Sequence, residues 1–63
     1  MKYALYWRWK GERNTDSDIF DDAHCRNIAI KDMKDRDEFD YIAYEPIYKS
    51  GEHGSRVTVI GKW

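Results

Sequence analysis

Residues 1–10 alternate between apolar and polar positions. One parity is strongly apolar, with Tyr3, Leu5, Trp7 and Trp9. Because successive side chains of a β-strand point to opposite faces, this period of two predicts a strand with one apolar face. Gly11 ends the strand, and the polar residues 12–17 predict a loop.

A longer period follows from about Asp18 to Lys34. Apolar residues recur there at spacings of four, seven and three, at Ile19, Ala23, Ile30 and Met33. Such a stripe predicts an amphipathic helix. Thr15 and Asp18 have the spacing of a capping box, and the segment is acidic near its start and basic near its end, as the helix dipole favours.

Two further strands are predicted in the second half of the chain. The segment from Phe39 to Lys49 is rich in β-forming residues, although Pro46 indicates an edge position or a bulge. A turn with two glycines follows at residues 50–55, and alternating valines predict a strand from Arg56 to Ile60 or Lys62. We expect these last two strands to form a hairpin.

The predicted order is therefore β-α-β-β in a single domain over residues 1–63. This is an α+β fold with one helix packed on a small three-stranded sheet. A strand–helix–strand unit normally joins parallel strands, so the first two strands are predicted to be parallel. The helix covers the apolar face of the first strand, and the opposite face is left open, presenting Tyr6, Arg8, Lys10, Tyr41, Thr58 and Lys62.

The length and the cysteine count narrow the class of protein. A chain of 63 residues has room for one small core, and an aromatic fraction of 16% supplies that core with large side chains. Cys25 is the single cysteine, so no disulfide can form within the chain, which fits a reducing compartment. No apolar run is long enough for a signal peptide or a membrane span. We therefore expect a cytoplasmic protein that makes no membrane contact.

The histidine and cysteine positions do not form a pattern typical of a catalytic or metal site. His24 and Cys25 are adjacent on the predicted helix and point in different directions, and His53 lies in the turn. A zinc site needs three or four converging ligands, and a nucleophilic cysteine needs a base within hydrogen-bonding reach. We expect no metal, no cofactor and no enzymatic activity. A small ribonuclease-like activity that uses His53 is the remaining catalytic alternative.

Charge is unevenly distributed although the net charge is only −1. Residues 15–40 hold nine acidic and four basic side chains, and both flanking segments are basic. A net charge near zero argues against a general nucleic-acid binder. An acidic surface can instead dock on a basic groove of a protein. Tyrosine and arginine on the open face suit either a protein interface or a stacking platform for single-stranded nucleic acid.

The whole profile is that of a very short, aromatic-rich chain with segregated charge and no catalytic motif. It is similar to the small inhibitors, such as anti-CRISPR and host-takeover proteins, that phages and mobile elements use against host enzymes and defence systems. This resemblance implies a non-catalytic protein that occludes a site on a larger host protein or complex. The expected contact residues are Tyr6, Arg8, Lys10, Tyr41, Asp21, Asp22, Asp35 and Asp37. A single-stranded nucleic-acid-binding module and a structural homodimer, both using the open face, remain as alternatives.

Overall fold

The computed structural model describes residues 1–61. It contains a sheet of four strands, one more than the sequence predicts. In chain order the elements are β1 (Lys2–Trp9), β2 (Asp16–Phe20), α1 (Ala23–Arg36), β3 (Phe39–Ile47) and β4 (Val57–Ile60). The order across the sheet is β2-β1-β3-β4, and all neighbouring strands are antiparallel. The α+β class is confirmed, whereas the three-stranded sheet is wrong.

The additional strand, β2, occupies the predicted loop and the predicted start of the helix. It pairs with β1 from Tyr3 opposite Phe20 to Trp7 opposite Asp16. Gly11 makes this hairpin possible, because its φ of 83° lies in the left-handed region that glycine adopts without strain. The chain therefore turns back along β1 before it enters the helix.

Helix α1 begins at Ala23 rather than at Asp18. Asp22 is the N-cap, with extended backbone, and its Oδ1 accepts a hydrogen bond of 2.8 Å from the backbone N–H of Cys25. The helix ends at Arg36, and Asp37 follows it in the left-handed conformation with φ of 53°. In the described part of the chain, residues 1–61, no helix combines the length and the apolar character needed to cross a membrane.

The predicted parallel pairing of β1 with the strand after the helix is also wrong. β1 and β3 are antiparallel, because the hairpin has already reversed the chain. β2 and β3 both run opposite to β1 and are therefore parallel to each other, with β1 between them. The strand–helix–strand crossover thus exists, but it joins β2 to β3.

The core lies between α1 and one side of the sheet, which we call the inner face. Leu5, Phe39 and Ile42 from the sheet form a buried cluster with Ile30 from α1. Full burial of each such side chain contributes about 1.5–3 kcal/mol. Further side chains pack around this cluster, among them Trp7, Phe20, Ala29, Met33, Tyr44, Val59 and Ile60.

Trp9 and Ile19, which were expected in the core, lie at its margin or outside it, and so does the apolar residue Ile28. Trp9 is 36% exposed, because the register between β1 and β3 shifts after Arg8; its ring contacts that of Phe39 at 4.4 Å between centroids. Ile19 is in β2 and Ile28 is on the outer side of α1, and both are more than half exposed. The predicted apolar stripe of the helix is therefore confirmed only in part.

The predicted hairpin of β3 and β4 is confirmed, with Ile42 opposite Ile60 and Tyr44 opposite Val57. β3 is a central strand, so the edge position inferred from Pro46 is wrong. The carbonyl of Pro46 accepts a hydrogen bond of 2.8 Å from the N–H of Gly54. The proline nitrogen faces the same side as this carbonyl and therefore costs the β1 ladder no hydrogen bond. Lys62, the alternative end of the last strand, lies outside the described residues.

Candidate functional site

The side of the sheet away from α1, here called the outer face, is covered by side chains of the sheet and the β3–β4 loop. Directly opposite residues of an antiparallel pair share a face. The pairs Tyr6–Ala43 and Arg8–Tyr41 therefore lie together on the outer face. Tyr41 and Ala43 are fully buried there. The face expected to be open is thus closed at its centre.

Tyr41 is buried beneath two arginines. Arg56 Nη1 donates a hydrogen bond of 3.1 Å to the Tyr41 hydroxyl, and the guanidinium carbon of Arg8 lies 5.5 Å from the Tyr41 ring centroid. Arginine can cover apolar surface with its stem while its charged head reaches water. The predicted exposure of Tyr41 is therefore wrong, and Tyr41 supports the outer face from below.

The centre of the outer face is a hydrogen-bonded group that we call the Glu45 cluster: Tyr6, Glu45, His53 and Arg56. The Tyr6 hydroxyl donates to Glu45 Oε1 at 2.6 Å, and His53 Nδ1 lies 2.7 Å from the same oxygen. Arg56 Nε donates to Glu45 Oε2 at 3.4 Å. Glu45 is only 7% exposed, so these contacts replace the water that its carboxylate would otherwise bind.

The contacts within the Glu45 cluster shift the pKa values of three of its members, Glu45, Tyr6 and Arg56. Burial raises the pKa of Glu45, but hydrogen bonds from Tyr6, His53 and Arg56 together outweigh burial and lower this pKa to about 2. Burial and the neighbouring carboxylate raise the pKa of the Tyr6 hydroxyl. Burial lowers the pKa of Arg56, and its hydrogen bonds to Glu45 and Tyr41 raise it by more. Near neutral pH, Glu45 is therefore ionised and Tyr6 keeps its proton.

These contacts fit a structural carboxylate better than a catalytic one. A general base acts best when its pKa lies near the working pH, and the pKa of Glu45 is far below it. His53 is bound through Nδ1, and its side chain is 47% exposed. His53 also forms a β-bridge with Ile47, and the Glu52 carbonyl accepts a hydrogen bond of 2.9 Å from the N–H of Tyr48. The cluster therefore holds the β3–β4 loop against the outer face.

A β-bulge fixes Arg8 beside this cluster. The register of β1 against β3 changes from Arg8–Tyr41 to Trp9–Phe39, which leaves Asp40 as the inserted residue. A bulge redirects the side chains next to it. Here Asp40 accepts a hydrogen bond of 2.8 Å from Arg8 Nε, while Tyr41 lies under the same guanidinium. Arg8 is thereby held at 23% side-chain exposure.

The two arginines of the outer face are bound in the same way. Arg8 contacts the Asp40 carboxylate and the Tyr41 ring. Arg56 contacts the Glu45 carboxylate, and its guanidinium carbon lies 4.4 Å from the Tyr6 ring centroid. Each positive charge therefore has a carboxylate and an aromatic ring beside it, an arrangement that restricts the side chain and balances its charge.

The four acidic residues expected at a contact surface do not form one patch. Asp21 and Asp22 precede α1, whereas Asp35 and Asp37 lie at its other end. A helix of 14 residues separates the two pairs by about 20 Å. Asp22 is engaged as the N-cap, and Asp21 and Asp37 each pair with an exposed lysine. The sequence-adjacent acidic block is therefore divided in space.

The basic residues expected on the open face are also separated. Tyr6 and Arg8 are on the outer face, as predicted from their parity. Lys10 lies beyond the end of β1, where its Nζ is 3.2 Å from Asp37 Oδ1 at the end of α1. Thr58 is exposed opposite Ala43. Lys62 lies outside the described residues.

Sequence reasoning missed Glu45 and Arg56 as members of the site, and it considered His53 only for a catalytic role; it did not predict that these three residues meet. No spacing rule brings them together, because their contact depends on how the β3–β4 loop folds back onto the sheet. The one available signal is Glu45 itself, a single acidic residue within the strongly β-forming segment 41–48. A carboxylate in such a strand requires hydrogen-bonding partners if it is buried.

The remaining histidine and cysteine do not extend this site. His24 and Cys25 are exposed on α1, and the carboxylate of Asp22 raises the pKa of the Cys25 thiol, which lies 3.6 Å from it. Among residues 1–61, no group of three or more histidine, cysteine or acidic side chains could hold a metal ion.

No family model, no curated protein and no solved structure matches this chain. The geometry of the outer face is therefore the observation from which a function can be proposed.

Proposed function

We propose that the chain is a non-catalytic, cytoplasmic protein-binding protein that uses its outer face to occlude a site on a larger protein. The observation that carries this proposal is the fixed arrangement of Tyr6, Arg8 and Arg56 on that face. Tyrosine and arginine are enriched among the residues that dominate protein interfaces. Small inhibitors of phages and mobile elements are the class whose mode of action this surface suits.

The contacts within the outer face reduce the side-chain conformational entropy that is lost when a partner binds. A free arginine side chain loses up to about 2 kcal/mol of conformational entropy when it is immobilised. Arg56 is already held by Glu45, by the Tyr41 hydroxyl and by the Tyr6 ring. A surface that is ordered before binding retains more of its contact energy as affinity.

The outer face also has an apolar area beside the Glu45 cluster. Ile19 lies opposite Ala4 at the β2 edge and is 57% exposed. Ala4 is 2% exposed, and the half-buried Tyr6 lies further along the same strand. An aromatic and aliphatic area next to fixed arginines has the composition of an interface centre with a polar rim.

The charge balance of the outer face favours a protein over a nucleic acid. Nucleic-acid affinity comes largely from cations that neutralise phosphates and release counterions. Arg8 and Arg56 are each paired with a carboxylate, and β2 adds no positive charge to the outer face, where it presents Ser17 and Ile19. Few positive charges are therefore left for phosphates, and the nucleic-acid alternative ranks below protein binding.

The decisive experiment compares two surface variants in a capture assay. Ser17 is exposed opposite Tyr6, so Ser17→Arg adds bulk to the outer face without removing a contact of the Glu45 cluster. His24→Arg makes the same kind of change on the exposed side of α1 and is the matched control. The immobilised chain is incubated with lysate of its native cells, with and without nuclease treatment. We expect one protein in stoichiometric amount with the unchanged chain and with His24→Arg, and at least about ten-fold less with Ser17→Arg.

Other outcomes would count against the proposal. Loss of all captured material on nuclease treatment would assign the outer face to nucleic acid. Equal capture by the two variants would show that the outer face does not form the interface.

A further inference from the structure

The two edges of the sheet differ in how they are protected. β2 carries Asp16 and Asp18, and charged side chains on an edge discourage another strand from pairing with it. β4 has the sequence Val-Thr-Val-Ile, without a charged residue or a proline. Within residues 1–61, β4 is hydrogen-bonded as a strand only to β3, so its other side presents unpaired backbone groups. β4 is therefore the edge at which the sheet can be extended.

The helix covers β4 only in part on the inner face. α1 packs over β1, β2 and β3, and a groove of about 440 Å³ runs between the helix and β4. The floor of this groove is apolar, with Ile30, Tyr44 and Val59. Val57, which lies opposite Tyr44, is 45% exposed beside it. An apolar strip therefore runs along the unpaired edge.

The rim of the groove carries charges of both signs. Lys31, Lys34 and Asp35 line it, and none of the three forms an ion pair with another residue of the described range 1–61. In a two-fold symmetric interface, each contact occurs twice. If a lysine of the first copy contacts an aspartate of the second copy, the same lysine of the second copy contacts the same aspartate of the first. A rim with unpaired lysines and an unpaired aspartate is therefore complementary to a second copy of itself.

We infer that two copies of this chain associate through the outer edge of β4 to form a symmetric dimer with a continuous sheet. Antiparallel pairing of β4 with its symmetry mate requires a two-fold axis perpendicular to the sheet, which puts both α1 helices on the same side. Val57 and Val59 of the two copies then lie between the helices, and the lysine-rich rim of one groove faces Asp35 of the other copy. A chain with so small a core gains stability from this added burial.

This arrangement is independent of the proposed function, because it uses the β4 edge and the inner face. It also has a consequence for binding. Both outer faces of the dimer point to the same side, so two sites on a partner assembly could be engaged together and with higher avidity than one.

Sedimentation equilibrium tests the dimer directly. We expect the mass to rise from 7.6 kDa towards twice that value as the concentration increases from about 10 µM to about 1 mM. Val57→Lys places a charge on the β4 edge and is expected to leave only monomer. Ile19→Lys makes the same change at an apolar residue of the β2 edge, which is 57% exposed against 45% for Val57, and should dimerise like the unchanged chain. Circular dichroism confirms that both variants are folded.

A charge exchange tests the rim. Asp35→Lys should raise the dissociation constant of the dimer about ten-fold. Combining it with Lys34→Glu should recover most of the lost affinity, because each rim then again carries both a positive and a negative side chain. A mass of 7.6 kDa at every concentration would overturn the inference, as would a dimer that survives Val57→Lys. Ser17→Arg should leave the dimer intact, which separates failure of this inference from failure of outer-face binding.

Discussion

Glu45 connects the stability of the chain to the shape of its outer face. Its carboxylate holds Tyr6, His53 and Arg56 in place, and those three side chains together lower its pKa from the ordinary 4.5 to about 2. A carboxylate whose pKa is lowered on folding stabilises the folded state wherever it is ionised. This contribution is complete above about pH 4.5 and is lost as the pH falls towards 2.

Acid titration of stability is the corresponding prediction. We expect the free energy of unfolding of the unchanged chain to fall by roughly 1–3 kcal/mol through Glu45 between pH 5 and pH 2. Glu45→Gln should be less stable at pH 7 and should lack this part of the acid dependence, because its amide does not titrate. Urea unfolding at several pH values measures both effects. Glu52→Gln, which changes an exposed carboxylate of the same loop, should behave like the unchanged chain. If Glu45→Gln kept the full acid dependence, the role assigned to Glu45 would be wrong.

Individual residues show what the sequence could predict. The positions of Tyr6 and Arg8 followed from their parity in β1, because a strand alternates faces along its whole length. The burial of Tyr41 could not be predicted in this way. It depends on the bulge at Asp40 and on Arg56, which reaches Tyr41 from a loop that is distant in sequence.

Among the elements, β2 was the one that the apolar pattern did not predict. Asp16, Ser17 and Asp18 are polar and are typical of a loop or of a helix start. β2 forms because the hairpin lays it along β1, and its last residue, Phe20, packs against the core. Tertiary contacts therefore determine this strand, and its residues alone do not favour it.

The start of α1 gives a test at this scale. Asp22→Ala removes the N-cap and should lower the free energy of unfolding by about 1 kcal/mol. Asp18→Ala changes the charge by the same amount but lies within β2, and it should change stability by no more than about 0.5 kcal/mol. Urea unfolding of the two variants at pH 7 compares them. A larger loss of stability for Asp18→Ala than for Asp22→Ala would contradict the N-cap at Asp22 and would favour the helix start near Asp18 that the sequence pattern predicts.

At the scale of the whole molecule, the two sides of the sheet have different compositions. The inner face is apolar and packs on α1, whereas the outer face buries Tyr41, Ala43 and Glu45 beneath its own arginines and tyrosine. The sequence predicted the α+β class and a helix on one face only. It did not predict that the other face would be closed by its own side chains, because that depends on contacts among β1, β3 and the β3–β4 loop.

The outer face as a preformed protein-binding surface is the central claim, and it is tested most directly by titrating the isotopically labelled chain with the protein that it captures. Nuclear magnetic resonance then reports which groups change. We predict that the Nε–H signals of Arg8 and Arg56 and the ring signals of Tyr6 and His53 shift or broaden, while the exposed side of α1 around His24 does not. Changes confined to α1, with the arginine and tyrosine signals unmoved, would contradict the claim.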